Sequence, residues 1–259
     1  MKFTLKALSL ALVTSVSTVA FADEAPALPF GLEFSGSAAM TTDYRFRGMS
    51  QTENDPAVQV GFQLDHASGL YAGVWGANVY IANGDAGVAH LELDPYLGYA
   101  KTFEGVAGKP TLDVGVYYYA YPGNSDLNFV EYYAGVGFEG LITEGDSLST
   151  SVNYTNDYLG LDIDAWYLGL GYTIPFADTG FSGIANIGYT TTDKYYFDAA
   201  SKDDSYWDWK AGVAYEFKSI EGFSAELAAV GTNIETKNTP STYKRGVETG
   251  AVFTLTKSF

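Results

Sequence analysis

The sequence predicts an all-β fold, a transmembrane antiparallel up-and-down β-barrel of about twelve strands with short periplasmic turns and longer outer loops. Three patterns carry this expectation: a hydropathy period of two, strands of roughly ten residues, and connections that alternate in length. Val58, Val60, Phe62 and Leu64 alternate with Gln59, Gly61, Gln63 and Asp65. Val130, Tyr132, Ala134, Val136 and Phe138 alternate with Glu131, Tyr133, Gly135 and Gly137. Trp166, Leu168, Leu170, Tyr172 and Ile174 stand opposite Tyr167, Gly169, Gly171 and Thr173. Each row is a strand with one apolar and one polar face.

In chain order, strands are expected at 32–42, 56–65, 70–79, 90–103, 110–121, 128–139, 146–155, 164–174, 181–191, 205–217, 223–232 and 247–259. The connections at 66–69, 104–109, 140–145, 175–180 and 218–222 are compact. Those at 43–55, 80–89, 192–204 and 233–246 are longer and richer in Asp, Asn, Lys and Ser, and 122–127 and 156–163 lie on the same side. Short turns at one rim and long loops at the other are what bacterial outer-membrane barrels have, and an even strand count places both ends at the short-turn rim.

Residues 1–22 are expected to leave the chain before it folds. Lys2 and Lys6 precede an apolar stretch from Ala7 to Val19, and Ala20-Phe21-Ala22 ends in the small residues of a signal-peptide cleavage site. The barrel is then one domain, 23–259, of an exported protein of a Gram-negative bacterium. No apolar run long enough for a helical span follows Ala22.

Composition excludes several functions. With 31 Asp+Glu against 14 Lys+Arg and a formal net charge of −17, the chain repels nucleic acid. Zero Cys removes disulfides, thiolate metal sites and Cys nucleophiles, and two His leave too few imidazoles for the usual metal clusters and triads. No cofactor or metal is expected. His90 ahead of Glu92 and Asp94 is the one arrangement suited to general-base chemistry, and a solvated rim histidine explains it more simply, so no enzyme is expected. Gly135-Val136-Gly137-Phe138-Glu139-Gly140 fits a dinucleotide pattern with no helix after it. The acids Asp157, Asp162, Asp164, Asp203 and Asp204 lack Ca²⁺-loop spacing.

The polar faces define a lumen. Asp113, Gly115, Tyr117 and Tyr119 are expected inside, with Leu112, Val114, Val116 and Tyr118 toward lipid. The inward set includes Glu33, Asp65, Glu92, Asp94, Asp113, Glu131, Asp208, Lys210, Glu216, Glu226 and Glu248, all acidic except Lys210. Such a tube would raise cation occupancy and repel anions. Arg45 and Arg47 begin the first outer loop. Either they fold inward as one wall of a constriction, or they pair with loop acids or lipopolysaccharide phosphates. Aromatics near strand ends, among them Phe30, Phe34, Phe103, Tyr121, Phe129, Tyr154, Phe181, Tyr206, Trp207, Trp209, Phe217 and Phe223, are expected in interfacial girdles.

The last strand ends the chain on an aromatic. Gly250, Phe253, Leu255 and Phe259 resemble the signal that barrel-assembly machinery recognises, with Lys257 placed to snorkel at the rim. The segment Thr41-Thr42-Asp43-Tyr44-Arg45-Phe46-Arg47-Gly48-Met49-Ser50-Gln51, with Pro56-Ala57-Val58-Gln59 after it, resembles the opening of the TorF-family porins. That resemblance extends over the mature chain and implies an outer-membrane pore, without a residue-level map or a substrate. The partners it implies are outer-membrane lipid and lipopolysaccharide, the assembly machinery, and small polar or cationic solutes. A closed barrel acting through its outer loops is the alternative.

Overall fold

A strand with one apolar and one polar face cannot bury either alone, and closing a sheet on itself satisfies both faces and removes the edges. The computed structural model describes residues 28–82, 87–194, 197, 203–237 and 240–259. The expected signal peptide lies outside the described residues, as do parts of three expected outer loops. The strands are β1 (Leu32–Thr41), β2 (Ala57–His66), β3 (Leu70–Ala82), β4 (Val88–Thr102), β5 (Thr111–Tyr119), β6 (Phe129–Glu139), β7 (Ser147–Thr155), β8 (Ala165–Pro175), β9 (Phe181–Thr192), β10 (Ser205–Glu216), β11 (Phe223–Thr232) and β12 (Gly250–Ser258). Each pairs antiparallel with its neighbours in sequence, and β1 pairs with β12 to close the barrel.

At that seam the register runs from Thr41 opposite Thr254 to Ser37 opposite Ser258. Gly36 and Phe259 continue it by exchanging backbone hydrogen bonds at 2.9 and 3.0 Å. The terminal ring packs against Phe34 and Phe62, with centroids 6.4 and 6.3 Å away. Lys257 reaches the periplasmic rim, donating to the Glu221 carbonyl at 2.8 Å.

The outward rows are exposed and apolar: Val58, Val60, Phe62 and Leu64 on β2, Leu168 and Leu170 on β8, Leu227 on β11. A belt of this size is lipid-facing, because water would drive it to associate. Phe34, Phe103, Phe181 and Trp207 lie exposed toward the strand ends, as a girdle requires. Tyr121, Phe129 and Tyr206 do not join them, being 3%, 3% and 1% exposed. Position along the strand suited them to a girdle, but side-chain parity turns Phe129 and Tyr206 to the face of Glu131 and Asp208.

The last connection also departs from expectation. Pro240 precedes a short helix, α1 (Ser241–Val247), whose last residue is buried. The helix takes Val247 and the Glu248 N–H bonds back to the Lys244 carbonyl, so the final strand starts later than expected, at Gly250. Glu248 follows the helix in the outer loop and pairs with Lys244 at 3.5 Å.

At the opposite rim the turn before β7 is built on Asp146. Its carboxylate accepts the backbone N–H of Leu141, Ile142 and Thr143 at 2.8, 2.9 and 2.9 Å and the Tyr172 hydroxyl at 2.7 Å. Burial opposes the charge, but the bonds from Tyr172 and the three amides outweigh it and hold the carboxyl below its ordinary range. A depressed value in the folded state means the stabilisation is complete above about pH 4, the unfolded value, and is lost as pH falls through the lower folded one. Asp146→Asn is therefore expected to lower the urea midpoint at neutral pH and to flatten its acid limb. Equal midpoints for the two proteins at neutral pH would refute the role.

Candidate functional site

The first outer loop enters the barrel. Arg45 pairs with Ser50 and Phe46 with Met49, forming a hairpin whose turn is Arg47 and Gly48, at φ 48° and 80°. Positive φ at both turn positions matches the twist of a tight hairpin. A Cβ at Gly48 would stand 2.6 Å from Thr232 Cγ2 and 2.9 Å from the Gly231 carbonyl, so only glycine fits.

The hairpin is tied at its root. Asp43 accepts the hydroxyls of Ser50 and Thr52 at 2.6 and 3.3 Å and the Asn54 amide at 3.1 Å, and it pairs with Arg45. Arg45 in turn donates to the carbonyls of Gly48, Gly246, Arg245 and Glu248, joining the first loop to α1 and its flank.

From this root the chain crosses the lumen. Tyr44 meets Trp75 of β3 at 5.3 Å between centroids, and Phe46 meets Tyr119 of β5 at 5.7 Å. Arg47 Nη2 donates to Glu131 Oε2 of β6 at 2.6 Å, with the two side chains 1% and 2% exposed. The guanidinium lies 4.2 Å from the Tyr167 ring centroid on β8, and the Tyr206 hydroxyl of β10 donates to the Arg47 carbonyl at 3.2 Å. Glu131 also accepts Asn153 Nδ2 at 2.8 Å and the Tyr119 hydroxyl at 3.3 Å. Burial works against the Arg47 charge, but Glu131 and then Tyr119, Tyr158 and Tyr167 more than offset it and hold its pKa above the ordinary value. The two arginines thus divide the two expectations: Arg47 faces a lumen carboxylate and Arg45 a loop acid.

The remaining expected lumen acids fall into two groups. Glu92, Asp94, Asp113 and Asp208 are 2%, 1%, 0% and 6% exposed and face protein groups. Tyr121 donates to Glu92 at 3.0 Å, the Ala120 amide to Asp94 at 3.3 Å, and Tyr71 to Asp113 at 2.5 Å. Burial first, then the Glu92 carboxylate, pushes the Tyr44 and Tyr121 hydroxyls well up, which keeps both as neutral donors. Tyrosines fill the interior because glycines beneath them leave room: Tyr71 lies over Gly98, Tyr96 over Gly73, Tyr133 over Gly115 and Tyr167 over Gly188.

The second group stands in the periplasmic half. Glu33 and Glu216 are exposed near the rim, and Asp65 is partly buried with Gln63 Nε2 donating to it at 2.8 Å. Lys210 and Glu226 pair at 2.8 Å with side chains 18% and 16% exposed. Around them the inward positions are small or polar and partly open, including Ser35, Ser37, Asn186 and Thr254. Among the described residues the interior is therefore filled in its outer half and more open in its periplasmic half, along this wall.

His90 and the acids after it do not come together. A register irregularity in the β3–β4 pairing leaves His90 exposed, edge-on to Tyr80 at 5.7 Å, while Glu92 and Asp94 point inward. Sequence reasoning gave no lumen role to Asp43, Gly48, Asn153, Tyr167 or Tyr206: Asp43 and Gly48 stood only in the opening motif and Tyr206 in the expected girdle. Parity places Tyr167 inside, opposite Trp166, and Tyr206 on the face of Asp208.

A closed twelve-strand barrel with an apolar exterior and a polar, partly open interior has the fold of the outer-membrane porins. The chain belongs to the family described as "Bacterial protein of unknown function (Gcw_chp)", which matches residues 24–259. Among solved structures, the NanC porin in a rhombohedral crystal form is 8% identical with a TM-score of 0.54, covering 86% of this chain and 98% of that one. A KdgM porin is likewise 8% identical, with a TM-score of 0.53 over 87% of this chain and 99% of that one. At such identity the likeness is one of fold. No curated protein matches the sequence.

Proposed function

We propose that this protein is an outer-membrane channel of porin type, of the kind its TorF-like opening implies, admitting small polar solutes passively and favouring cations. The observation that carries the reading is the lumen's water-accessible wall, where Glu33, Asp65, Glu216 and Glu226 face only one basic side chain among the described residues, Lys210. Carboxylates in a narrow low-dielectric tube raise the local concentration of cations. The function needs no catalytic group. Lipid and lipopolysaccharide would surround the barrel, and the Phe259 strand would be its address for the assembly machinery.

Conductance of the purified protein in a planar bilayer under a salt gradient tests this directly. Stable steps with a cation-selective reversal potential are expected, and anion selectivity would sink the charge argument. Two charges at 4 Å interact by about 1 kcal/mol in water, several-fold in occupancy. Glu226→Gln is therefore expected to lower the cation preference and Lys210→Gln to raise it, each by a few-fold at most. Asp113→Asn should leave the reversal potential unchanged, because that carboxylate is fully buried. The filled outer half favours a second reading, a closed barrel that acts through its outer loops. A folded, heat-modifiable barrel with no conductance would establish that one instead.

A further inference from the structure

The lumen holds a cation already, and it belongs to the chain. Glu131, held by Asn153 Nδ2 and the Tyr119 hydroxyl on its other oxygen, presents Oε2 to the Arg47 guanidinium, with the wall's Tyr167 ring at 4.2 Å and the hairpin's own Phe46 ring at 4.7 Å. A carboxylate in reach with an aromatic ring beside it is the arrangement by which a protein binds an alkylguanidinium. The tip is held less firmly than the root of the hairpin. Its root is fixed by the Asp43 and Arg45 network outside the lumen, whereas its tip is held by one ion pair, one hydrogen bond from Tyr206 and ring contacts. A buried ion pair contributes little net stability, since desolvation nearly cancels attraction. Docked, the hairpin and Tyr44 before it touch β3, β5, β6, β8, β10 and β11, half of the strands of the barrel.

We propose that the first-loop hairpin is the gate of the pore, and that the Glu131 cradle is a site for organic cations of the guanidinium class which Arg47 occupies as a tethered ligand. This rests on the channel reading above. Withdrawal of the tip opens the outer half and leaves Glu131, Asp94 and Asp208 facing water, so a permeating cation takes the place the guanidinium left. Loss of the tether lowers the closed population and frees the cradle for an external ligand.

The experiment uses the full protein in planar bilayers, with methylguanidinium as the probe. Arg47→Ala is expected to raise the fraction of time spent conducting by about tenfold. Methylguanidinium should then block the current of Arg47→Ala, and the added change Glu131→Gln should abolish that block. Glu131→Leu, which removes the same ion pair from the wall side, offers a second measurement should Arg47→Ala fail to fold, and its conducting fraction should rise likewise. Conductance of Arg47→Ala, or of Glu131→Leu where Arg47→Ala does not fold, equal to that of the unaltered protein would overturn the gate and leave the channel standing. A block that survives Glu131→Gln would overturn the cation site. Silence of every variant, in barrels that still migrate as folded, would overturn the channel reading and the gate with it.

Discussion

Glu131→Leu is expected to expel the first-loop hairpin and expose the bond after Arg47 to trypsin in a barrel that remains folded. The change leaves a guanidinium 1% exposed with no carboxylate beside it. Breaking one side of such a pair costs about 3–5 kcal/mol, because the surviving charge stays desolvated. The hairpin has a cheaper course than unfolding the barrel: its tip leaves for water, where Arg47 is solvated. Mass analysis of tryptic fragments from heat-modifiable barrels should find cleavage after Arg47 in Glu131→Leu and none in the unaltered protein. The combined Arg47→Met, Glu131→Leu protein should regain much of its hairpin docking, since an apolar pair of similar volume removes the uncompensated charge. Its docking would be read from protection of the bond after Arg45. Full protection of Arg47 in Glu131→Leu would show that the ring contacts and Tyr206 alone hold the tip.

The second large effect is expected at Gly98. A Cβ there would lie 2.3 Å from the end of the Tyr71 ring and 2.8 Å from the Tyr133 hydroxyl. Tyr71 cannot simply swing aside, because its hydroxyl bonds both Asp113 and Tyr133 in the interior. Gly98→Val thus combines overpacking, about 1–3 kcal/mol, with buried polar groups left unpaired, about 1–3 kcal/mol each. It should lower the yield of folded barrel and its urea midpoint sharply. Gly105→Val is the matched control, with no atom within 4 Å of its Cβ position. Equal midpoints for the two would show that the tyrosine network yields without cost.

The strand rows were legible because a β-strand's parity is local: the exposed Val58, Val60, Phe62 and Leu64 follow from alternation alone. Parity also put Asp113 and Glu131 inside. It could not say whether inside meant water, and both are buried. Glu248 was misplaced for a related reason, since alternation continued into residues that the end of α1 and its cap had taken out of the strand. For Arg45 and Arg47 the local sequence left two destinations open, and the two side chains took one each.

By itself, then, the sequence determined the closed antiparallel barrel, its lipid-facing rows and the polar face of most strands, all set by a period of two and by turn lengths. Only the tertiary structure decided that the outer half of the lumen is filled. Arg47 lies 84 residues from Glu131 and 159 from Tyr206 in the chain. Their meeting depends on a loop turning into the tube, on glycines that let tyrosines lie flat across it, and on opposite walls that approach each other only once the last strand has closed on the first.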